Sequence, residues 1–364
     1  MDTSDPDITF DNDGVCSHCH TYSTELPKRV YHGSEAEERL ARLVDTIKRS
    51  GRNKAYDCIV GVSGGVDSTY VAYTVKKLGL RPLAIHFDNG WNSELAVSNI
   101  SKTLDTLDID LHTYVIDWEE FRSLQIAFLR AATPDGEVPT DHAINALLFN
   151  EAAKRGIGYI ISGMNYATES GGVPAWAYGH MDWRYIRSVN RIFGTAKLKH
   201  YPHIGFLKLA YYSLVRRIRV VAILNYLEYN KAEALTLLQD KLGWQYYGGK
   251  HYESVYTRFY QGYILPRKYN VDKRIAHLSA LISSGQISRA EALSEMQQND
   301  YIQGGLAEED KIYVQKKLGF QPPEFEAILS SENKSFRDYP NSYSFVVQLK
   351  KLVNALRKVG LVPK

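Results

Sequence analysis

The segment "IVGVSGGVDSTYV", residues 59–71, combines the residue types that bind a phosphate chain. An apolar run predicts a strand, two glycines follow it, and a helix begins at once. Glycines accept positive φ and leave backbone N–H groups open, while serine hydroxyls donate to phosphate oxygens. The helix N-terminus that follows also favours an anion. The pattern therefore predicts a phosphate-binding loop, and the residues we expect to bind ATP there are Val62, Ser63, Gly64, Gly65, Asp67 and Ser68.

The type of phosphate chemistry is constrained by a missing lysine. A Walker A loop, GxxxxGK[ST], places a lysine on the β and γ phosphates, whereas here the first lysine after the start of the loop is Lys76. The pattern SGGxDS instead resembles the PP-loop of the ATP pyrophosphatase superfamily. This resemblance implies that the loop holds the β and γ phosphates as leaving pyrophosphate while a substrate oxygen attacks the α phosphate. ATP and Mg²⁺ are the cofactors expected, with Asp67 as a catalytic residue that orients the loop or holds a magnesium-bound water.

Two more predicted strands end in polar residues. "AIHFDNGWN" carries His86 and Asp88, and "IISGMNYATE" carries Gly163 and Asn165. Ligands of open α/β sheets bind at the carboxyl ends of the strands, so these residues are expected to line one crevice with the loop. The superfamily resemblance implies adenosine at the first strand end and the nucleotide or its phosphates at the second. All four are predicted ATP ligands.

The elements that position these residues alternate between short apolar runs and amphipathic stretches. Four runs, "CIVGV", "PLAIHFD", "HTYVID" and "YIISG", are separated by helical patterns, which predicts an α/β fold with a parallel sheet and helices on both faces. We expect three regions. They are a Cys-containing N-terminal appendage over 1–33, a PP-loop ATP-binding domain over 34–200, and a mainly helical substrate-binding region over 201–364.

Composition excludes some classes of function. The chain has 364 residues and a formal net charge of only +3, which gives no argument for nucleic-acid binding. No apolar run approaches the length of a membrane span, and the acidic start "MDTSDPDITFDNDG" lacks the features of a signal peptide. A cytoplasmic protein is therefore expected.

PP-loop enzymes differ in the nucleophile that displaces AMP. Sulfur insertion into tRNA usually needs a persulfide-bearing or cluster-binding cysteine set and a basic RNA platform, and this chain has three cysteines and nearly balanced charge. Ammonia is the remaining main choice. No glutaminase domain with its own nucleophile is visible, so ammonia is expected to come from another chain.

Several blocks together resemble the N-acetyl sugar amidotransferases of bacterial surface-glycan biosynthesis. They are "MDTSDPDITFDNDGVCSHC", "IVGVSGGVDSTYV", "IHFDNGWNSELAVSNI", "PTDHAI", "GWQYYGGKHYESVYTRFYQGYILPRKYNVDKRIAHLS" and "SSGQISRAEAL". The resemblance implies conversion of an acetamido group to acetamidino on a nucleotide-activated diacetamido sugar, as in O-antigen of lipopolysaccharide (LPS), with ATP giving AMP and pyrophosphate. It also implies ammonia-supplying partners like the glutaminase and cyclase pair of histidine biosynthesis.

Charged and aromatic residues alternate in the "GGKHYES" block and beyond it. They are candidates for holding pyrophosphate and the phosphates of the sugar nucleotide, with a solvated basic face as the alternative. Asp141 and His142, after "PT" at a helix start, are candidates for proton handling, although Asp141 has the alternative role of a helix cap. Lys250 and His251 are further catalytic candidates. The substrate and pyrophosphate candidates are Lys250, Tyr252, Glu253, Arg258, Arg267 and Lys268.

Cys16 and Cys19 form a CxxC pair. A structural zinc ion takes four ligands, and one pair supplies two. The family resemblance implies a second CxxC just before the equivalent of "MDTSDPD", which this sequence does not contain. A zinc site completed by His20, His32 or His251 and a pair of reduced thiols are the alternatives.

Two rival functions stay open at this point. One is a PP-loop enzyme of tRNA thiolation, which requires a sulfur-carrying cysteine. The other is a non-catalytic subunit that binds the nucleotide without forming AMP.

Overall fold

The computed structural model describes residues 1–170 and 172–358. Its centre is a parallel sheet in which each strand pairs with its neighbours in the same direction. The strands are β1 (Cys58–Gly61), β2 (Pro82–Asp88), β3 (Leu111–Val115), β4 (Tyr159–Ser162) and β5 (Arg219–Ala222). Their order across the sheet is β3-β2-β1-β4-β5. An α/β fold with a parallel sheet is thereby confirmed.

Helices surround this sheet and form most of the chain after β5. Two of them continue into π-helical turns, Tyr211–Val215 and Tyr260–Ile264, and there are short 3₁₀ turns at Ile223–Tyr226 and Phe336–Asp338. The α-helices are α1 (Ser17–Arg29), α2 (Gly33–Gly51), α3 (Val66–Lys77), α4 (Glu94–Leu107), α5 (Trp118–Ala131), α6 (Val138–Arg155), α7 (Tyr166–Glu169), α8 (Trp183–Phe193), α9 (Phe206–Ala210), α10 (Lys231–Leu242), α11 (Val255–Phe259), α12 (Leu265–Tyr269), α13 (Lys273–Ser283), α14 (Arg289–Gln297), α15 (Asp300–Gln303), α16 (Leu306–Leu318), α17 (Pro322–Ser330) and α18 (Tyr343–Lys358).

The sheet separates two hydrophobic cores because neighbouring residues of a strand point to opposite faces. Ile59 of β1 packs in one core, with Phe121 of α5. Cys58 packs in the other core, with residues of α2 and α3. Cys58 is fully buried, and burial raises the pKa of its thiol to about 12. It is a core residue, as its place in an apolar strand indicates.

The fifth strand was not predicted. Its residues, "RVVA" at 219–222, follow a basic and aromatic stretch, and they lie at the sheet edge with the first two side chains exposed. The apolar run "VVAIL" was not separated from the basic and aromatic stretch that directly precedes it, so no strand was assigned there. The sheet extends beyond residue 200, where the predicted ATP-binding region ends.

The strand order determines where a ligand can enter. From β1 the chain builds β2 and β3 on one side, then returns to place β4 and β5 on the other. Such a switch point opens a crevice at the carboxyl ends of the central strands. The region after β5 packs on the same core as β1, through Tyr256, Phe259 and Phe325, so helices of the C-terminal part border the crevice. Among the described helices, none has the length and apolar character needed to cross a membrane.

Candidate active site

The predicted phosphate-binding loop connects β1 to α3, and its bend depends on Gly64. Gly64 has φ +81, and a Cβ there would lie 2.6 Å from the carbonyl oxygen of Ala96 in α4. The indole Nε1 of Trp244 donates to the Gly64 carbonyl over 2.9 Å. A side chain at this position is therefore excluded both by backbone conformation and by space. The loop is held from two sides before any ligand binds.

Hydroxyl and carboxylate groups of the loop are also positioned. Ser63 and Ser68 have their Oγ atoms 3.2 Å apart, so both hydroxyls face the same space above the bend. The Asp67 carboxylate accepts a hydrogen bond from the hydroxyl of Tyr229. Burial and the charge of Asp67 raise the pKa of Tyr229, which keeps this phenol a donor. Gly163, at the end of β4, lies against the Asp67 backbone, where a Cβ would come within 3.3 Å.

The first cavity has a volume of about 480 Å³ and lies at the carboxyl ends of β1, β2 and β4. It is lined by four of the predicted ATP ligands, Val62, Ser63, His86 and Gly163. The Nδ1 atom of His86 is 2.9 Å from the carbonyl oxygen of Val62, and its Nε2 is 3.1 Å from Asn92 Nδ2. This imidazole joins the ends of β1 and β2.

Asp88 and Asn165 support loops beside the first cavity and are not among its lining residues. The Asp88 carboxylate accepts hydrogen bonds from the backbone N–H of Gly90 over 2.9 Å and from the Asn92 side chain over 3.2 Å. Asn165 caps α7, since its Oδ1 accepts from the Thr168 N–H over 2.8 Å. A direct contact of either residue with ATP stays a prediction.

A second cavity of about 690 Å³ adjoins the first. Its lining includes the predicted residues Lys250, Tyr252 and Arg258. The two cavities share four lining residues, so they form one continuous cleft. The shared residues are Met164, His251, Gln261 and Lys273. His251 has a positive φ of 65°, a conformation that a histidine adopts at some cost and that recurs at binding sites.

The cations of the second cavity differ in how far they are neutralised. Arg258 makes two hydrogen bonds of 2.7 Å to Asp310, and its guanidinium lies 5.0 Å from the ring centre of Tyr252. Lys250 is less engaged, with its Nζ 3.5 Å from Glu169 and 3.3 Å from Nδ1 of His277. Burial, together with the charge of Lys250, lowers the pKa of His277 to about 2. Lys250 is therefore freer than Arg258 to take an anionic ligand.

Arg267 and Lys268 do not line either cavity. The Nζ atom of Lys268 donates to the backbone carbonyls of Ile328, Leu329 and Ser331 over 2.9, 3.3 and 2.6 Å, at the C-terminal end of α17. Arg267 lies 3.4 Å from Glu326 on the same helix. A lysine with its donors used to cap a helix has none left for phosphate. The structure thus separates these two residues from the other phosphate candidates.

His142 is buried away from the cleft, in contrast to its neighbour Asp141. Its Nδ1 donates to the carbonyl of His180 over 2.8 Å, and its Nε2 accepts from the N–H of Ile204 over 3.2 Å. Burial lowers the pKa of His142 to about 4. With both nitrogens used by the backbone, the ring has no free position for the proton handling that we expected of it.

The predicted residue Asp141 lies where the cavities meet, in a cluster of charged residues whose other members sequence reasoning missed. Glu137 and Asp141 line the first cavity, and His180 lines the second. His180 Nε2 is 2.7 Å from Asp135 Oδ2 and 3.4 Å from Asp141 Oδ2. Gln261 donates to Glu137 over 2.7 Å. The one signal in the sequence was three carboxylates within seven residues at the predicted helix start, "DGEVPTD".

Glu253 lies beside the loop. A Cβ on Gly65 would be 3.4 Å from Glu253 Oε1, and its other oxygen, Oε2, is buried with no hydrogen-bond donor. Burial raises the pKa of Glu253, but His251, 3.6 Å away, and Lys231 outweigh this effect and lower it overall. An ionised carboxylate with an unused buried oxygen can accept a metal ion or a donor of a ligand.

The cysteine pair does not complete a metal site. Cys16 Sγ and Cys19 Sγ are 3.4 Å apart at the start of α1. His20 is engaged with Asp11 over 2.7 Å. A different group has three side chains close enough together to hold a metal ion, among residues 1–170 and 172–358. It consists of Asp117, Glu120 and His200. Two thiols do not fit the four-ligand shell of structural zinc, so no role of zinc is derived.

Comparison with protein families gives a match for the part of the chain that borders the second cavity. Residues 253–353 match the model "LPS biosynthesis protein WbpG-like, C-terminal domain". This segment is similar to the WbpG-like family over less than a third of the chain. The resemblance to proteins of bacterial surface-glycan biosynthesis is thereby confirmed for this segment, and the WbpG-like segment supplies Glu253, Arg258, Gln261 and Lys273 to the cleft.

A curated relative covers a smaller part of the chain. The chain is 37% identical to a glutamine-hydrolysing GMP synthase of Pyrobaculum aerophilum over 86 residues, which is 23% of this chain and 16% of that protein.

Among solved structures, an NMN synthetase from Francisella tularensis is 14% identical and covers 63% of this chain and 93% of that one, with a TM-score of 0.31. An NH₃-dependent NAD synthetase from Campylobacter jejuni, in complex with nitrate, is 15% identical and covers 73% and 95%, also with a TM-score of 0.31. The α/β fold is shown by the parallel sheet of this structure.

Proposed function

We propose that the protein is an ATP-dependent, AMP-forming amidotransferase that converts an acetamido group of a nucleotide-activated diacetamido sugar to acetamidino. ATP occupies the first cavity and the sugar nucleotide the second. The observation that carries the proposal is the adjacency of a lysine-free phosphate-binding bend and a second, cation-bearing cavity within one cleft. The WbpG-like segment around that second cavity supports a sugar of surface-glycan biosynthesis as substrate.

In this reaction the amide oxygen attacks the α phosphorus of ATP, and pyrophosphate leaves. An amide carbonyl is a poor electrophile, and O-adenylation converts it to an imidate with AMP as leaving group. Ser63, Gly64 and Ser68 hold the departing pyrophosphate by hydroxyl and backbone donors. Lys250 neutralises phosphate charge from the second cavity. Positioning and charge neutralisation account for most of the rate enhancement expected of such a site.

Glu253 and Asp67 fit Mg²⁺. Asp67 belongs to the first turn of the helix after the loop, Glu253 Oε1 lies beside Gly65, and the unused Oε2 of Glu253 is the kind of oxygen ligand that Mg²⁺ takes. When bound, the metal ion neutralises the phosphate oxygens. Without it, an ionised Glu253 next to Gly65 would repel the phosphate chain.

The ammonia that displaces AMP is expected to come from a glutaminase and a cyclase-like partner. Free ammonium salt replaces these partners in a test with the isolated chain. The enzyme is incubated with ATP, Mg²⁺, ammonium and a panel of nucleotide-linked diacetamido sugars, and the sugars are analysed by mass spectrometry. We expect a loss of about one mass unit on one acetamido group, since oxygen is replaced by NH. A Ser63→Ala, Ser68→Ala double variant serves as the matched inactive control, and an unchanged sugar with the native chain would refute the proposal.

A further inference from the structure

The charged cluster at the meeting point of the cavities holds more carboxylates than cations. Asp135, Glu137 and Asp141 contribute three negative charges, and His180 and Lys273 contribute two positive ones. One negative charge is left over inside a cleft that both substrates border. Burial lowers the pKa of Lys273, but the three carboxylates outweigh it and raise the pKa overall, so this lysine stays a cation.

His180 is fixed in this cluster by two contacts. Its ring is hydrogen-bonded to the buried Asp135 over 2.7 Å, and its backbone carbonyl accepts from His142 over 2.8 Å. Burial lowers the pKa of His180, but its bond to Asp135 and the charges of Asp135 and Asp141 raise it to about 9. The imidazole is therefore a cation at neutral pH, and the Nε2 atom that bonds Asp135 also lies 3.4 Å from Asp141 Oδ2.

Asp141 is the member of the cluster that remains open. Its side chain is 45% accessible and lines the first cavity, and its one cationic partner within 4.0 Å, for the residues the structure describes, is His180. Gln261, in the π-helical turn Tyr260–Ile264, orients Glu137 beside it. Such turns inside helices often occur at functional sites. An accessible carboxylate with an oriented neighbour has the arrangement of a general base.

We propose that Asp141, oriented by His180 and Asp135, binds ammonium at the junction of the two cavities and removes a proton from it as the amidine forms. This inference rests on the proposed function and assigns the base of its second step. His180 and Asp135 are positioning residues.

The proton balance of this step is complete. Ammonium brings four protons, of which one passes to Asp141 and one ends on the sugar-bound nitrogen of the imidate. Two protons stay on the new nitrogen. A C–N bond forms at the imidate carbon, the C–O bond to AMP breaks, and AMP leaves with that electron pair. The product is the amidinium ion, and no oxidant or reductant is required.

The charge environment of Asp141 places its titration near neutral pH. Burial and the negative charges of Glu137 and Asp135 raise the pKa of Asp141, while the positive charge of His180 lowers it. Together these effects bring the pKa of Asp141 to about 6. Above that pH the carboxylate is ionised and accepts a proton, and below it the base is lost. The groups that face Asp141 from the neighbouring segments are Asp135, Glu137, His180, Lys273 and Tyr201.

The test compares Asp141→Asn with the native chain in two assays. Isotope exchange between ATP and pyrophosphate, in the presence of the sugar nucleotide and without ammonium, measures adenylation alone. Amidine formation at fixed total ammonium, followed from pH 5 to 8, measures the second step. We expect unchanged exchange and a kcat/KM for ammonium reduced by about 10²–10⁴-fold. Asp45→Asn, an exposed residue of α2, is the control with both assays unchanged.

The pH profile separates a base from a structural residue. The native chain is expected to reach a plateau above about pH 6, whereas Asp141→Asn depends on free ammonia and rises about tenfold per pH unit. His180→Gln is expected to move the acid limb to higher pH, since His180 lowers the pKa of Asp141. A native profile retained in Asp141→Asn, or an unmoved limb in His180→Gln, would overturn the inference. If the native chain supports no exchange with any acetamido sugar, the proposed function itself is wrong.

Discussion

The two cavities of the cleft use different means to hold charge. The phosphate-binding bend relies on backbone geometry and hydroxyls, with Gly64 pressed against Ala96 and no lysine in the loop. The second cavity relies on long cationic side chains that form ion pairs with carboxylates, as Arg258 does with Asp310. A backbone site cannot adjust without moving a strand or helix, while a side-chain site can exchange partners. The proposed function accordingly places the phosphate chain of ATP at the bend and the sugar nucleotide in the second cavity.

The largest effect is expected from adding a methyl group to the bend. Gly64→Ala would place a Cβ 2.6 Å from the Ala96 carbonyl oxygen at φ +81, so the loop must shift and AMP formation should be abolished. Gly156→Ala is the matched control, since Gly156 also has a positive φ, +68, but has no atom within 4 Å of the added Cβ. We expect it to cost about 1 kcal/mol of stability with activity retained. Both variants are compared by pyrophosphate release and by thermal unfolding. An active Gly64→Ala enzyme would contradict the assigned role of the bend.

A smaller effect is expected from the cations, and two lysines test which of them belong to the site. Lys250→Met removes the loosely engaged cation of the second cavity, and kcat/KM should fall about 10–100-fold, as for loss of a charged hydrogen bond. Lys268→Met removes the cap of α17. We expect it to reduce stability by about 1.5–3 kcal/mol and leave kcat/KM unchanged below the unfolding temperature. Equal kinetic losses in the two variants would contradict the placement of Lys268.

The last effect changes stability and leaves the chemistry of the cleft intact, and it separates His142 from the site. Its pKa in the folded state, about 4, is below the ordinary 6.5, so the unfolded chain binds the proton more tightly. The stabilisation is complete above pH 6.5 and decreases as pH falls toward 4, by up to roughly 3 kcal/mol. His142→Asn should flatten the dependence of the unfolding free energy on pH between 7 and 4. The exposed His32→Asn should not, and an unchanged slope in His142→Asn would show that His142 is not held neutral.

The sequence predicted what is local in the chain. The bend at Ser63–Ser68 is contiguous, and four strands were marked by short segments rich in apolar, β-branched or aromatic residues, so both were found. Asp141 and His142 were not distinguished because adjacent residues of a helix point about 100° apart, and the direction of the cleft was unknown. The cluster of Asp135, His180 and Lys273 comes from three distant segments. Its members become neighbours only through the packing of α6, α8 and α13, which no local pattern encodes.

The same limit explains why sequence reasoning gave Lys250 and Lys268 a common role. Both lie in one basic and aromatic block, and both were therefore predicted to bind the substrate or pyrophosphate. The helix that runs from α11 through its π-helical turn to α12 directs Arg258 and Gln261 to the cleft, and Lys268 to the end of α17. Helix rotation decides such placements, and a π-helical turn alters the rotation in a way that sequence spacing does not reveal.

The central claim is that the bend holds the two outer phosphates of ATP, so that cleavage occurs between the α and β phosphorus atoms. Phosphorus NMR of the nucleotide products, with ATP, Mg²⁺, ammonium and a nucleotide-linked diacetamido sugar, tests it most directly. The account predicts AMP and pyrophosphate in equal amounts, formed only when the sugar is present. ADP and inorganic phosphate as the products would contradict it.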